Sequence, residues 1–316
     1  MKIAILDSNT LGEGITLKPI EEVGDCAIYP STSEDEVAER IADSHIVIVN
    51  KVRLDQSNLK DAKSLRLICL FATGYDNVDV NYCQKRGIAV CNVEGYSSHS
   101  VSQVTVAMVL SLACHLREYA DFVRDGIYSK SGVANRLTPA YTELCGKTWG
   151  IVGYGNIGRQ VADVARALGC RILVNRRSNS EDSNVVDMDI LCKESDIITL
   201  HTPLNESTYH LIDEARLKMM KKSAIIVNTA RGLVTDEAAV ARAIKEGHIA
   251  AFGTDVYSIE PLPEDNPLYE IKDYPNVLLT PHMAWGALES RQRCIDEVAL
   301  NIKAFAEDTP RNRVDL

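Results

Sequence analysis

A short glycine-rich turn in the middle of the chain places the strongest constraint on the fold. The segment Gly153-Tyr154-Gly155-Asn156-Ile157-Gly158 has the spacing G-x-G-x-x-G, between an apolar run at 149–152 and a helical pattern at 157–168. The first glycine of such a turn permits the bend, the second lets a pyrophosphate approach the backbone, and the third allows close helix packing. The phosphates would lie at the positive end of the helix dipole. The turn therefore predicts a dinucleotide-binding unit.

Apolar runs at regular intervals predict two parallel sheets. Polar helical stretches separate these runs, and this alternation is typical of parallel strands covered on both faces. We predict an α/β protein with two doubly wound parallel-sheet domains. The second, with the turn, is a Rossmann nucleotide-binding domain, and the first, without a glycine fingerprint, is a flavodoxin-like substrate domain. The predicted strands are 3–6, 46–49, 67–70 and 88–90 in the first series, and 149–152, 171–174, 197–200, 224–228, 250–254 and 277–280 in the second.

Two longer helices are also predicted. The largely apolar segment 100–118 predicts one continuous helix that packs between domains or between subunits. The segment 289–307 has apolar residues at helical spacing and predicts an amphipathic helix.

Composition narrows the function. The 316 residues suggest about two domains. A net charge of −10 disfavours binding to nucleic acid or to anionic membranes. Nine scattered cysteines, with no CxxC pair, predict a reduced cytoplasmic protein without a metal site. No apolar run approaches the length of a membrane span, and the run at the start of the sequence is too short for a signal peptide.

The end of the second strand after Trp149 predicts which dinucleotide is bound. An acid at this position would bind both ribose hydroxyls and repel a 2′-phosphate, but this chain has Asn175 followed by Arg176 and Arg177. The asparagine would not repel a phosphate, and the arginines can pair with one. We therefore favour NADP(H) over NAD(H), which stays possible. The alternative is that both arginines are solvated surface residues.

Three residues that follow later strands could perform chemistry. Reduction of a 2-keto acid needs a cation for the carboxylate, a proton donor for the carbonyl oxygen and a hydride from a nicotinamide. Arg231 can bind the carboxylate and polarise the carbonyl. His282 can donate the proton, and Glu260 would favour its charged imidazolium form. Each residue also has an ordinary structural interpretation, as a salt-bridge partner, a turn residue or a packed histidine.

Several motifs together resemble the D-isomer-specific 2-hydroxyacid dehydrogenase family over nearly the whole chain. Three further segments are similar to bacterial hydroxypyruvate reductases, also called glycerate dehydrogenases: Val49–Val52, Cys91–Ser97 and Pro281–Trp285. The family motifs are Phe71–Asp79, the glycine turn, Asn228–Gly232, Asp255–Pro261 and Thr280–His282.

The resemblance implies a role for most of these segments. It implies that Arg231, Glu260 and His282 are catalytic, and that Arg231 and His282 also contact the substrate. Further substrate contacts would come from the backbone at Thr73-Gly74 and from Lys51. Asp255 would orient the nicotinamide carboxamide. The other residues implied to line the cofactor are Thr202, Pro203, Thr229 and Ala230.

The resemblance also implies an organisation and an activity. The substrate-binding domain would comprise residues 1–97 and 284–316, and the dinucleotide-binding domain residues 98–283, with hinges near 97–100 and 283–290 and a homodimeric assembly. The predicted activity is NAD(P)H-dependent reduction of hydroxypyruvate or glyoxylate. Alternatives are a reductase of a bulkier 2-keto acid, a nucleotide-sensing, corepressor-like binding protein on the same fold, and an oxidiser of phosphonate or formate.

Overall fold

A computed structural model describes residues 1–177 and 184–316. The chain divides into two compact units. Unit 1 comprises Met1–Ser97 and Trp285–Leu316, and unit 2 comprises Ser98–Ala284. The chain therefore leaves unit 1 after residue 97 and returns to it at residue 285.

Unit 1 contains a five-stranded parallel sheet in the order β2-β1-β3-β4-β5. This is the flavodoxin-like strand order. Successive residues of one strand belong to two different hydrophobic clusters, as Ile3 and Ala4 do, because side chains alternate between the faces of a sheet. The strands are Lys2–Ile5 (β1), Asp25–Ile28 (β2), Ile46–Val49 (β3), Leu67–Leu70 (β4) and Ala89–Cys91 (β5).

Strand β2 is the one that the apolar runs failed to predict. It lies at the edge of the sheet and its side chains are mostly exposed, so its sequence, DCAI, carries no continuous apolar run. The predicted helix at 289–307 is present as α12, which buries Ile295, Val298 and Ile302. The helices of unit 1 are Lys18–Glu21 (α1), Val37–Ile41 (α2), Gln56–Leu59 (α3), Val80–Arg86 (α4) and Leu288–Ala306 (α12).

Residues 311–315 cover the open edge of β5. The Val314 N–H donates to the carbonyl of Val90 at 2.9 Å, and the Val90 N–H donates to Asp315 Oδ1 at 2.9 Å. Burial alone would raise the pKa of Asp315, but the Arg313 guanidinium and the Val90 N–H outweigh burial and lower it. The carboxylate therefore takes the place of a strand partner at this edge.

Unit 2 contains a six-stranded parallel sheet in the order β11-β10-β9-β8-β6-β7. A parallel bridge between Val174 and Val185 extends the sheet beyond β7. With this bridge as a minimal third strand, the order is that of the Rossmann fold. The strands are Thr148–Val152 (β6), Arg171–Asn175 (β7), Ile197–Leu200 (β8), Ile225–Asn228 (β9), Ala251–Thr254 (β10) and Val277–Leu279 (β11).

The prediction of one continuous helix over 100–118 was wrong. The chain forms two helices that are separated at Cys114 and His115, because His115 adopts a left-handed φ of 52° and its ring bonds to Glu118 at 2.8 Å. Helix α5 buries Met108 and Val109 in a cluster with Trp149, inside unit 2. The helices of unit 2 are Ser98–Ala113 (α5), Leu116–Arg124 (α6), Ile127–Lys130 (α7), Asn156–Ala167 (α8), Met188–Glu194 (α9), Glu214–Met219 (α10) and Glu237–Lys245 (α11).

Within the two described ranges, no single helix has both the length and the hydropathy of a membrane span. Helices α5 and α6 meet these criteria only as a pair, and the pair is bent by 67°.

Candidate active site

The three predicted catalytic residues follow three adjacent strands of unit 2. Strand β10 pairs with β9 and with β11, so Asn228, Thr254 and Leu279 lie side by side at the carboxyl ends of these strands. Arg231 comes three residues after the end of β9, and Glu260 and His282 follow β10 and β11. Open α/β sheets bind their ligands at this edge.

Glu260 and His282 form a close hydrogen-bonded pair. The distance between His282 Nδ1 and Glu260 Oε2 is 2.6 Å, and the two side chains are 29% and 30% exposed. The other carboxylate oxygen, Oε1, accepts the backbone N–H of Tyr257 at 3.2 Å. A carboxylate at Nδ1 fixes the orientation of the ring and stabilises the imidazolium.

A buried carboxylate holds the turn that carries His282. Asp255 Oδ1 accepts the Thr280 hydroxyl at 2.6 Å and the Met283 N–H at 2.8 Å, and Oδ2 accepts the Ala284 N–H at 2.8 Å. The turn is unusual because His282 has a left-handed φ of 52°. Asp255 thus binds a side chain before the histidine and the backbone after it. Its role toward a nicotinamide carboxamide stays a prediction.

Tyr257 adds a further support below the same turn. Its hydroxyl donates to the Thr280 carbonyl at 2.8 Å. Burial, followed by the negative charges of Asp255, Glu260 and Glu237, raises the pKa of Tyr257 to about 12. The phenol therefore stays protonated and keeps its hydrogen bond over the whole neutral range.

The loop that carries Arg231 is fixed mainly by the side chain of Asn228. Its amide donates to the Arg231 carbonyl at 2.9 Å and its Oδ1 accepts the Ala230 N–H at 3.0 Å. The hydroxyl of Thr229 lies 2.8 Å from that of Thr105, in the buried interior. Arg231 itself is partly buried, and Nη1 donates to the Ala230 carbonyl at 2.9 Å.

The glycine turn between β6 and α8 fits a dinucleotide. Gly153 has a φ of 90°, and a Cβ there would lie 2.5 Å from the His201 carbonyl oxygen. A Cβ on Gly158 would lie 2.1 Å from the Gly153 carbonyl oxygen, whereas one on Gly155 would meet no atom within 4 Å. Two glycines are therefore required by close packing. Gly155 leaves open space at the amino end of α8, where a phosphate can bind. Asn156 and Ile157 form the first turn of α8.

The segment after β8 also lies at this edge of the sheet. Both ring nitrogens of His201 are buried, and within the described ranges neither has a hydrogen-bond partner. Burial lowers the pKa of His201 to about 3, so the ring is neutral at physiological pH. Thr202 and Pro203 follow it, and the Pro203 carbonyl accepts the Thr208 hydroxyl at 2.7 Å.

The end of β7 presents the predicted ribose-binding residues. The Asn175 amide donates to the Val186 carbonyl at 3.0 Å, and the Asn175 carbonyl accepts the Gly153 N–H at 2.8 Å. Arg176 Nε is buried and has no hydrogen-bond partner among residues 1–177 and 184–316. Arg177 is exposed. The buried nitrogen of Arg176 can accommodate an anion.

Lys51, a predicted substrate-side residue, lies in unit 1 after β3. A buried carboxylate, Asp7, directly follows β1 and holds the loop that contains this lysine. Asp7 accepts the backbone N–H groups of Asn50 at 2.9 Å, Lys51 at 2.6 Å and Val52 at 3.1 Å. The Lys51 residue itself is exposed.

Thr73 and Gly74 lie in unit 1 after β4. The Thr73 hydroxyl donates to the Val93 carbonyl at 2.7 Å, and the Thr73 carbonyl accepts the Asn92 amide at 2.8 Å. Gly74 is half-buried. Both contacts fix the backbone of the segment whose N–H groups are predicted to bind a carboxylate.

The part of the chain that the structure describes contains no group of three or more His, Cys, Asp or Glu side chains that could hold a metal ion.

Comparison with known proteins identifies the family. The model of the D-isomer specific 2-hydroxyacid dehydrogenase NAD binding domain matches residues 106–284. A hydroxypyruvate reductase from Blautia hydrogenotrophica is 35% identical over 100% of both chains. The chain belongs to the D-isomer-specific 2-hydroxyacid dehydrogenase family.

Two further relatives agree with this assignment. A glycerate dehydrogenase from Methylorubrum extorquens is 35% identical over 99% of both chains. The solved structure of an acyclic imino acid reductase, in complex with NADPH and D-Arg, superposes with a TM-score of 0.88 at 29% identity and covers 99% of this chain and 100% of that one. The protein is thus an NAD(P)-dependent 2-hydroxyacid dehydrogenase similar to hydroxypyruvate reductases, with a Rossmann domain and a flavodoxin-like domain, as predicted.

The sequence predicted Asp255 as a cofactor contact, but it did not reveal that Asp7 and Asp255 position loops of the site. Asp7 and Asp255 each follow an apolar strand directly, and both are buried. An acid at the end of a buried strand is a usable signal, because it must find hydrogen-bond donors nearby. Which N–H groups it binds depends on the neighbouring strand, and the local sequence does not specify that.

Proposed function

We propose that this dehydrogenase reduces hydroxypyruvate or glyoxylate to the corresponding D-2-hydroxy acid with NADPH, and that His282 donates the proton. The observation that carries the proposal is the 2.6 Å contact between His282 Nδ1 and Glu260 Oε2 on a turn clamped by Asp255. With Nδ1 committed to the carboxylate, the proton delivered to the carbonyl oxygen comes from Nε2. The residues Arg231, Glu260 and His282 form the proposed catalytic set.

Each proposed catalytic group meets one requirement of the reaction. The Arg231 guanidinium binds the substrate carboxylate and withdraws charge from the adjacent carbonyl. Glu260 holds Nδ1 of the imidazole, so that Nε2 is left to deliver the proton to the carbonyl oxygen. The backbone at Thr73-Gly74 and the Lys51 ammonium supply further contacts to the carboxylate. When bound, the dinucleotide supplies the hydride that reduces the carbonyl carbon.

We propose the turn from Gly153 to Gly158 as the pyrophosphate site and Asp255 as the partner of the nicotinamide carboxamide. The open space beside Gly155 supports the first assignment. Thr202, Pro203, Thr229 and Ala230 would line the same dinucleotide, since they follow β8 and β9 at the carboxyl edge of the sheet.

Preference for NADPH rests on the end of β7. Asn175 brings no charge that would repel a 2′-phosphate, and Arg176 and Arg177 can pair with one. The buried, unpartnered Nε of Arg176 supports this assignment, because a buried donor without an acceptor is costly unless a ligand satisfies it. The acyclic imino acid reductase, which has the same fold and was solved with NADPH, is a precedent for NADPH binding by this fold.

A substrate panel tests the proposed activity. Purified protein is mixed with NADPH or NADH and with hydroxypyruvate, glyoxylate or a bulkier aromatic or branched 2-keto acid, and the nicotinamide absorbance is followed. We expect the highest kcat/KM with hydroxypyruvate or glyoxylate and NADPH. A higher value with a bulky acid would favour the alternative specificity. Dinucleotide binding without turnover of any acid would favour a nucleotide-sensing, corepressor-like protein.

The cofactor assignment has its own test in Asn175→Asp. A carboxylate at this position would bind ribose hydroxyls and repel a 2′-phosphate, so the ratio of kcat/KM for NADPH to that for NADH should fall by about 10-fold or more, equivalent to about 1.4 kcal/mol. Asn184→Asp, which adds the same charge in the nearby 184–186 segment, serves as the control. An unchanged ratio in Asn175→Asp would mean that the ribose binds elsewhere.

We also propose that unit 1 is the substrate domain, that unit 2 is the dinucleotide domain, and that the protein acts as a homodimer in the cytoplasm. The homodimer is supported by exposed apolar residues after α5, such as Leu116, Val123 and Leu137, which are 53%, 56% and 72% exposed. Sedimentation equilibrium measures this state, and a monomer at micromolar concentration would contradict it.

A further inference from the structure

A buried glutamate outside the proposed catalytic set binds the loop that carries Glu260. Glu237 is the first residue of α11 and only 8% exposed. Its Oε1 accepts the Ser258 backbone N–H at 2.7 Å, and its Oε2 accepts the Ser258 hydroxyl at 2.5 Å and the Asn266 amide at 2.7 Å. Burying a carboxylate is costly, and three donors offset that cost.

The same glutamate lies where two site loops meet. The Gly232 backbone packs so closely on the next loop that a Cβ there would lie 2.0 Å from the Tyr257 carbonyl carbon. Gly232 directly follows Arg231, and Glu237 lies five residues further on. The bonds from Glu237 to Ser258 therefore tie the segment after Arg231 to the segment before Glu260.

A short chain of contacts connects this link to the histidine. Ser258 lies two residues before Glu260, and the Glu260 carboxylate accepts the Tyr257 N–H at 3.2 Å through Oε1 while Oε2 lies 2.6 Å from His282 Nδ1. The far end of the loop is held through Asn266, whose Oδ1 accepts the Leu268 N–H at 2.8 Å. A shift of Ser258 would therefore move the Glu260 carboxylate away from the imidazole.

We propose that Glu237 is a positioning residue that sets the distance between Glu260 and His282 and the placement of both relative to Arg231. This inference rests on the proposed roles of Glu260 and His282. It assigns to the first turn of α11 a function in catalysis that does not require contact with substrate or cofactor.

The test compares Glu237→Ala with Glu246→Ala, a matched change of an exposed glutamate at the other end of α11. We expect Glu237→Ala to lower kcat by about 10- to 100-fold, because small misplacements of catalytic groups have effects of that size. KM for the dinucleotide should change less than twofold. The pH profile of kcat should also differ from that of the wild type, since the Glu260 carboxylate no longer lies at His282 Nδ1. Glu246→Ala should behave as the wild type.

Further variants keep the test decisive if Glu237→Ala folds poorly. Ser258→Ala removes one of the three bonds, and Glu237→Gln retains the shape and one acceptor oxygen, so both should give intermediate kcat values with a melting temperature close to that of the wild type. A lowered melting temperature with unchanged kcat and pH profile in all three variants would show a purely structural role and overturn the proposal.

A measurement that does not depend on turnover separates this inference from the proposed function. Diethyl pyrocarbonate acylates neutral imidazole, and peptide mass spectrometry gives the rate at His282. At a fixed pH, His282 should react several-fold faster in Glu237→Ala than in the wild type or in Glu246→Ala. Equal rates would overturn the positioning role. A wild type that reduces no 2-keto acid would overturn the proposed function, while the acylation rates would still decide on Glu237.

Discussion

Two buried aspartates, one in each unit, hold loops that carry proposed site residues. Asp7 follows β1 and binds three backbone N–H groups of the loop after β3, which contains Lys51. Asp255 follows β10 and binds two backbone N–H groups and a hydroxyl of the turn after β11, which contains His282. In both cases a carboxylate at one strand end fixes the loop of the adjacent strand. We call each of these two aspartate contacts a clamp.

The difference between the two clamps lies in the side chain that each loop presents. The His282 ring is only 29% exposed and has a carboxylate at 2.6 Å, whereas Lys51 is an exposed residue on a flexible stem. We therefore expect the clamp in unit 2 to serve the chemical step and the clamp in unit 1 to serve mainly stability and substrate affinity.

The largest effect should come from His282→Gln, which removes the proposed proton donor of the more constrained loop. We expect kcat to fall by on the order of 10³-fold, the size typical of a lost general acid, with KM for the dinucleotide almost unchanged. Steady-state kinetics with NADPH measure both. His248→Gln, a change of a half-buried histidine outside the site loops, is the control. A loss below tenfold would exclude His282 as the proton donor.

The next largest effect should come from Asp255→Asn. The amide can accept only through one oxygen, so the Met283 and Ala284 N–H groups can no longer both be satisfied, and the turn with its left-handed histidine relaxes. We expect kcat to fall by about 100-fold, as expected for a misplaced catalytic group. Thr280→Val removes one donor and leaves both N–H bonds, so it should lose less activity. The reverse order would mean that the backbone bonds are unimportant.

Asp7→Asn should affect stability more than the chemical step. A buried N–H group that loses its acceptor costs about 1–3 kcal/mol. We therefore expect the free energy of unfolding, measured by urea denaturation, to fall by about 2 kcal/mol. KM for the keto acid should rise and kcat should change little. Asp43→Asn, at an exposed ion pair, provides the baseline. A fall in kcat equal to that of Asp255→Asn would erase the distinction between the two clamps.

The smallest effect should come from Lys51→Met. Exposed ion pairs contribute about 0.2–1 kcal/mol, so KM for the keto acid should rise by about 2- to 5-fold without a change in kcat. The effect should shrink as the salt concentration rises, since exposed charges are screened. Lys60→Met, an exposed lysine after α3, should leave KM unchanged. A large kcat loss in Lys51→Met would show that the loop is as constrained as the His282 turn.

Much of the fold was predictable because buried parallel strands are continuous apolar runs, as at Ile46–Val49 and Ile197–Leu200. The edge strand Asp25–Ile28 was missed because it is exposed, and the break at His115 was missed because no glycine or proline marks it. For the site, the positions of Arg231, Glu260 and His282 after adjacent strands were predictable, while their catalytic roles stay predictions. The clamps by Asp7, Asp255 and Glu237 were not, because each joins segments that are distant in sequence.

The cover that residues 311–315 place on β5 has a consequence for the order in which the units form during synthesis. Unit 2 is continuous from residue 98 to residue 284, so it can complete its contacts while later residues are still inside the ribosome. Unit 1 cannot complete the β5 edge of its sheet until residues 311–315 are synthesised, because Val90 binds Val314 and Asp315. Until translation passes residue 315, the nascent chain carries a Rossmann unit that can already be complete and a unit 1 sheet whose β5 edge is still uncovered.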